Sequence, residues 1–324
     1  MRLPTAPDGS RGCAALARYA DEPMSGTAGQ SRGWLLIEHE GPWRYPALTS
    51  PGLAPETVSL LSERLAGRAV KTQLIKRPGR RRSARGPLRA YFAHVSRTSP
   101  WVRAVEFEDP AQLLEHDLTA VERPEPPTFG TRVDHTLYLV CTHAKRDPCC
   151  AMLGRPVADA LRGGAAEVWE TTHVGGDRFA ANLVALPHGA YFGRLDPDSA
   201  VRTVAALERG EVLPDHFRGR CTDSPAGQAA EAALRSRLGA VAVDALTHLD
   251  EQDGGESVRV TLGHGGGLYT VSVARTEGPE CATTCTNVSR PVHHRVTEIS
   301  EVRGGAARGP GRWADPARQS RSRT

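Results

Sequence analysis

The sequence predicts an α/β protein in which one α/β unit occurs twice. Short apolar runs typical of buried strands alternate with segments that have the apolar spacing of helices. The order strand, helix, two or three strands and a closing helix appears once in each half of the chain. A length of 324 residues with 39% hydrophobic residues is enough for two modest domains of this kind.

The first unit begins with the apolar run WLLIE, followed by a turn rich in Gly and Pro. A helix is predicted at 55–65 from apolar residues spaced three and four apart. Further strands are predicted at 73–76, 89–95 and 102–107, and a closing helix at 111–118.

The second unit has the same order of elements. A strand at 137–141 leads through a loop rich in cysteine into a helix at 154–163. Strands are then predicted at 167–173, 182–187 and 190–195, and a closing helix at 199–210. Beyond them, 227–238 has the spacing of an amphipathic helix and 258–273 that of a β-hairpin with a Gly-rich turn.

These elements divide the chain into four regions. We predict a disordered tail at 1–12, a first unit at 13–130, a second unit with its helix and hairpin at 131–275, and a disordered tail at 276–324. The two tails are rich in Gly, Pro, Arg and Ser and show no periodicity.

Composition argues against several classes of function. No apolar run approaches the roughly 20 residues of a membrane span, and the first residues lack the apolar centre of a signal peptide, so we expect a cytoplasmic protein. A net charge of +4 does not require a polyanionic partner. The basic run at 76–85 lacks interleaved aromatic residues, so we expect a solvated loop and no nucleic-acid binding.

The cysteines carry the strongest chemical signal. There are seven, an odd number, which argues against a complete disulfide framework in a cytoplasmic chain. Three lie in one loop, at Cys141, Cys149 and Cys150. Such clustering indicates metal or redox chemistry.

The cysteine loop follows a buried strand and precedes a helix, which is where α/β folds build sites. Lys145, Arg146 and the start of the helix would stabilise thiolates there. The plainer alternative is that the three cysteines are small buried hydrophobic residues.

A second motif, His173-Val-Gly-Gly-Asp177-Arg178, follows the next strand. The adjacent Gly175 and Gly176 would let the backbone approach a bound group closely, and a possible ligand stands at each end of the turn. His188 is a third candidate ligand. A His and an Asp across a tight turn can also be only a hydrogen-bonded pair.

Both motifs, in LYLVCTHAKRDPCCAMLG and VWETTHVGGDRFAANLVALPHG, resemble the sucrase/ferredoxin-like family, and the resemblance extends over most of the chain. It implies two thioredoxin-like α/β units and a [2Fe-2S] cluster in the second. In fungal relatives two cysteines and the two histidines of an H-x-G-G-H motif are the ligands. Carried over, Cys141 and Cys150 match the cysteines and His173 the first histidine.

The fourth ligand departs from that pattern, because Asp177 stands where the second histidine would be. A carboxylate is a harder and less usual ligand for iron-sulfur clusters. Either Asp177 binds nevertheless, or Cys149 or His188 takes its place, or the cluster is labile or absent.

The resulting expectation is an electron carrier that docks a redox protein partner. The alternatives are a thiol enzyme, with Cys149 or Cys150 as nucleophile, His173 as base and Asp177 orienting it, and a zinc-binding or metal-free interaction module. The word sucrase has no support, because no pair of glycosidase carboxylates is visible.

The other cysteines receive lesser roles in these hypotheses. Cys281 and Cys285 form a C-x3-C pair, with two histidines at 293 and 294, that could be a small metal site but lies in the expected tail. Cys13 and Cys221 are expected to be structural or incidental.

Overall fold

The computed structural model describes residues 3–79 and 86–302, so residues 80–85 of the basic run lie outside it. A ten-stranded mixed sheet forms the body of the protein. Its strands are β1 (Gly33–Glu38), β2 (Val70–Lys76), β3 (Leu88–His94), β4 (Trp101–Phe107), β5 (Thr131–Arg132), β6 (Leu137–Cys141), β7 (Glu167–Thr171), β8 (Leu183–Leu186), β9 (Ala190–Phe192) and β10 (Phe217–Arg220). The α-helices of the described residues are α1 (Cys13–Tyr19), α2 (Pro55–Leu65), α3 (Pro148–Leu161), α4 (Pro197–Glu208) and α5 (Pro225–Leu238).

The strand order shows the repeat that the sequence predicts. The sheet runs β10-β9-β8-β6-β7-β2-β1-β3-β4-β5, so each half contains a parallel pair followed by antiparallel neighbours. β1 is parallel to β2 and antiparallel to β3, and β6 is parallel to β7 and antiparallel to β8. The predicted mixed α/β architecture is therefore confirmed.

The two halves meet where β2 and β7 pair antiparallel. The pairing is short, Ile75 with Thr171 and Lys76 with Glu170, at the carboxyl ends of both strands. The carboxyl ends of the two parallel pairs consequently face each other across the middle of the sheet.

One apolar core extends under both halves. It contains Trp34 and Tyr91 from the first half and Leu139 and Trp169 from the second, each at most 1% exposed. At about 25 cal/mol per Å² of apolar surface removed from water, such residues are a major favourable contribution to folding. The halves therefore share this cluster, and each half also has a buried apolar cluster of its own.

The predicted helix at 111–118 is wrong in type. The structure has two short 3-10 helices, Pro110–Glu115 and Leu118–Glu122. The side chain of Asp109 accepts from the backbone N–H of Ala111 and starts the first, and that of Asp117 accepts from the N–H of Thr119 and starts the second. A capping aspartate in the middle of the segment thus divides it into two turns.

The predicted tails also need correction where the structure describes them; their residues 1–2 and 303–324 lie outside the described part of the chain. Residues 276–302, expected to be disordered, include β14 (Cys281–Thr284), β15 (Asn287–Ser289) and β16 (Val292–Val302). β16 joins the hairpin of β12 (Ser257–His264) and β13 (Gly267–Glu277), with β11 (Thr247–Asp253) at the other edge. Most side chains of β16 are exposed, so backbone pairing forms this strand without an apolar pattern in the sequence.

The amino-terminal residues are likewise ordered from residue 3 onward. Thr5 pairs with Arg11 as an isolated β-bridge, and the N–H of Gly12 donates to the carbonyl of Pro4 at 2.6 Å. This turn leads directly into α1. No helix within the described ranges is long and apolar enough to cross a membrane.

A buried ion network fastens α5 to the large sheet. The carboxylate of Glu231 is fully buried and pairs with Arg235 at 2.9 Å, with Arg220 at 3.4 Å and with Arg97. Burial opposes ionisation of Glu231, but the charges of Arg220, Arg97 and Arg235 lower its pKa to about 2. The carboxylate therefore stabilises the two buried guanidinium groups of Arg220 and Arg235 and the half-buried one of Arg97 at neutral pH.

Glu231→Gln should lower the free energy of unfolding by about 3–5 kcal/mol at pH 7, because it leaves buried cations without their anion. Glu211→Gln, which removes a surface pair with Arg209, should change it by no more than about 1 kcal/mol. Urea unfolding of both variants measures this.

The stability difference between the native protein and Glu231→Gln should depend on pH in a defined direction. Since the folded pKa of Glu231 is depressed, its stabilisation is complete above the unfolded value of about 4.3. It is lost as the pH falls towards the folded pKa of about 2. The stability gap between the native protein and Glu231→Gln should thus narrow from pH 5 to pH 3, and a constant gap would contradict the assignment.

Candidate metal centre

The ends of β6 and β7 bring two of the predicted motifs together. Cys141 is the last residue of β6 and pairs in register with Thr171, the last residue of β7. Cys150 lies in the first turn of α3, and His173 follows β7 by two residues. The sulfurs of Cys141 and Cys150 and a ring nitrogen of His173 all lie within 4.8 Å of one another.

Asp177 completes this group from the other end of the glycine turn. Its Oδ1 lies 3.0 Å from the Sγ of Cys150, which donates to it, and 2.9 Å from the Nδ1 of His173. The carboxylate is 2% exposed. The four side chains therefore present two sulfurs, one nitrogen and one oxygen in a nearly dry site.

The arrangement of these donor atoms suits metal coordination better than it suits hydrogen bonding among the side chains. The Nδ1 of His173 is buried, and although Asp177 is close to it, the geometry gives that nitrogen no hydrogen bond. Buried polar atoms normally have well-formed hydrogen bonds, and a bound metal would give this nitrogen a partner that its ion pair with Asp177 provides only at a poor angle. Four donors of this kind also match the number that a [2Fe-2S] cluster requires.

The charges of the four side chains depend on each other. Hydrogen bonding from Cys150 and the nearby His173 hold the pKa of Cys141 well below its usual range, against the effect of burial. The Cys141 sulfur in turn, with burial and Asp177, raises the pKa of Cys150. Burial opposes protonation of His173, but Asp177 and Cys141 raise its pKa to about 9.

Asp177 itself stays ionised. Burial favours its neutral form, yet His173, Cys150 and Arg146 together lower its pKa. These shifts favour a thiolate at Cys141, a thiol at Cys150 and a protonated His173 beside the carboxylate of Asp177. Binding a metal at all four would release the protons of Cys150 and His173.

The first half of the chain forms a wall of this site. The loop after β1 lies over the loop after β6, and the backbone carbonyl of Arg44 is 2.9 Å from the Nε2 of His143. Trp43 and Tyr45 contact the same imidazole ring edge to face. The guanidinium of Arg146 lies 5.1 Å from the centre of the Tyr45 ring.

The strand β2 fixes the approach to His173 from the same half. The side chain of Gln73 donates to the carbonyl of His173 at 3.1 Å and accepts from the hydroxyl of Thr172 at 2.5 Å. The N–H of Leu74 donates to that hydroxyl at 3.0 Å. Residues of the first half thus position a candidate ligand of the second.

Arg218 holds the glycine turn from below, a role that the sequence did not reveal. Its guanidinium is almost completely buried and donates to the carbonyl of Gly175 at 3.0 Å and to Asn182 at 2.8 Å. Gly176 is in the left-handed region, at φ 79°, and a β-carbon there would lie 2.3 Å from the guanidinium. Only glycine satisfies both conditions.

The remaining predicted residues lie around or away from this group. Lys145 is exposed, and Arg146 is near Asp177, with its Nε 3.7 Å from Oδ2. Arg178 points away and pairs with Glu22 at 2.7 Å. His188 is in the turn after β8, where its carbonyl accepts from Arg220, and it is not part of the donor group.

Cys149 faces away from its neighbour Cys150. Its sulfur lies with those of Cys13 and Cys285, in a second group that also contains Asp147. The two cysteines of the C-x3-C pair therefore do not form one site, because Cys281 belongs to neither group. The imidazole of His293 lies 3.4 Å from Glu22 and belongs to neither cysteine group.

Comparisons with known proteins agree with the two motifs. Residues 24–219 match the model of the family described as sucrase/ferredoxin-like. A stretch of 94 residues, 27% of this chain, is 35% identical to altered inheritance of mitochondria protein 32 of Eremothecium gossypii. That stretch covers 28% of the fungal protein's length. No solved structure matches the chain.

Gly176→Ala should destabilise the folded protein by about 1–3 kcal/mol more than Gly239→Ala. Both glycines are left-handed, but a β-carbon at 239 meets nothing within 4 Å, whereas one at 176 displaces the guanidinium of Arg218. Thermal unfolding of the two variants measures the difference. Equal losses would mean that Arg218 does not constrain the turn.

Proposed function

The chain belongs to the sucrase/ferredoxin-like family, and we propose that it is a redox protein holding a [2Fe-2S] cluster with Cys141, Cys150, His173 and Asp177. The observation that carries the proposal is the convergence of two buried sulfurs and an imidazole nitrogen within 4.8 Å, beside the buried carboxylate of Asp177. When bound, such a cluster supplies reversible one-electron transfer.

The protein residues tune that chemistry in two ways. Nitrogen and oxygen donors in place of two thiolates leave the site less negative, which raises the reduction potential relative to four cysteines. The backbone N–H of His143 also donates to the Cys141 sulfur, and hydrogen bonds to cluster sulfurs act in the same direction. We therefore place the potential above that of ferredoxins with four cysteine ligands.

Exposure indicates where electrons would enter or leave. Cys141, Cys150 and Asp177 are at most 2% exposed, whereas the side chain of His173 is 24% exposed. Lys145, exposed in the adjoining loop, adds positive charge to the same side of the molecule as Arg146. We infer that a redox protein partner with an acidic surface docks over His173.

The thiol-enzyme alternative is less well supported by the geometry. His173 and Asp177 do lie 2.9 Å apart, as a base and its orienting group would. However, Cys150 is 1% and Cys149 2% exposed, so neither sulfur is open to a substrate in this conformation. A nucleophile needs access as well as a base.

Cys141→Ser should abolish the visible absorption and the reducible EPR signal of the full-length protein purified without oxygen, because it removes a sulfur ligand. Cys281→Ser, outside both cysteine groups, should leave both signals unchanged. Iron analysis provides the stoichiometry. Colourless, iron-free native protein would contradict the proposal and favour a zinc-binding or metal-free module.

The fourth ligand can be tested separately. Asp177→Cys should retain the cluster at a lower reduction potential, because thiolate donates more electron density than carboxylate. Asp177→Ala should lose iron, whereas His188→Ala should keep both iron and potential. Retention of an unaltered EPR spectrum in Asp177→Ala would exclude Asp177 as a ligand.

A further inference from the structure

A second group of possible metal ligands lies beside the start of α3. Three segments that are far apart in sequence meet there: Cys13 at the start of α1, Asp147 and Cys149 at the start of α3, and Cys285 directly after β14. All four residues are at most 9% exposed. The sequence separations of Cys285 from Cys149 and Cys13 are 136 and 272 residues.

The distances match those around one tetrahedral ion. The Sγ atoms of Cys149 and Cys285 are 3.4 Å apart, and those of Cys285 and Cys13 are 3.7 Å apart. The Sγ of Cys13 lies 3.7 Å from the Oδ2 of Asp147. Zinc bonds to sulfur of about 2.3 Å at tetrahedral angles place neighbouring sulfurs about 3.8 Å apart.

Backbone N–H groups point at two of the three sulfurs. The N–H of Cys13 donates to the sulfur of Cys285 at 3.4 Å, and the N–H of Ala14 donates to that of Cys149. Gly12, at φ 99°, makes room for this approach, because a β-carbon there would lie 2.4 Å from the Cys149 sulfur. Donation of N–H groups to sulfur is typical of metal-bound thiolates.

Asp147 supplies a buried charge that protein cations do not balance. Its side chain is 0% exposed and accepts from the N–H of Cys149 at 2.9 Å and of Cys285 at 2.6 Å. Among the described residues, no Lys, Arg or His forms an ion pair with it. A buried carboxylate without a cation is costly, and a divalent ion would compensate it.

We propose that Cys13, Cys149, Cys285 and Asp147 bind one Zn²⁺ ion, separate from the [2Fe-2S] site of the proposed function. Three soft sulfurs and one oxygen in a tetrahedron are ligands that zinc accepts. All four donor atoms lie within 4.8 Å of one another, which suits a single ion. A cavity of 640 Å³ lined by Arg11, Met152 and Cys149 lies beside the group.

The test measures zinc and iron separately in full-length protein expressed with zinc in the medium. Native protein should contain about one zinc per chain, and Cys285→Ser less than about a tenth of that, with iron and visible spectrum unchanged. Cys281→Ser should keep both metals. Zinc that persists unchanged in Cys285→Ser would overturn the proposal.

Substitution of a ligand could unfold the chain, so the native protein provides a second test of the zinc site. If native protein expressed with a full supply of zinc contains no zinc, alkylation and mass spectrometry show the state of its cysteines. Three free thiols or a Cys149–Cys285 disulfide in that protein would overturn the proposal. The double variant Cys141→Ser/Cys150→Ser lacks the sulfur ligands of the first site. Added Co²⁺ should give this variant the thiolate charge-transfer and visible bands of tetrahedral cobalt. The absence of these bands from the folded double variant would also overturn the proposed zinc site. Loss of iron alone would bear only on the proposed function.

Discussion

The buried carboxylate of Asp147 is the contact on which the arrangement of both cysteine groups depends. It accepts from the N–H of Cys149 and so fixes the first turn of α3, and it accepts from the N–H of Cys285 and so fixes the carboxy-terminal strands. The next residue of that turn, Cys150, is thereby aimed at Asp177 and His173. Because successive residues of a helix project about 100° apart, one well-placed turn directs two adjacent cysteines to two different sites.

Local pattern was enough to predict part of the site. Cys141 and His173 each follow an apolar strand, and parallel neighbouring strands necessarily bring such positions to one edge. The group around Cys13 and Cys285 could not be predicted, because those residues meet only through tertiary packing across 272 positions. For the same reason β16, formed by backbone pairing with few buried side chains, left no apolar pattern to detect.

The sequence also did not show what the first half contributes. Its loop after β1 provides no donor to the site; it supplies Trp43, Tyr45 and the carbonyl of Arg44, which enclose the imidazole of His143. Arg218 is a similar case, since a guanidinium is usually a surface group and only the fold shows it buried beneath Gly175. The loop after β1 therefore covers the site, whereas the loop after β6 leads to the candidate ligands.

The common core beneath the two halves has a consequence for cooperativity. Trp34 and Tyr91 pack in the same cluster as Leu139 and Trp169, so removing either half would expose large apolar surfaces of the other. A fragment starting at residue 131 would also leave β7 without its partner strand β2. The shared cluster therefore links the stability of the two halves, although each half also has a buried apolar cluster of its own.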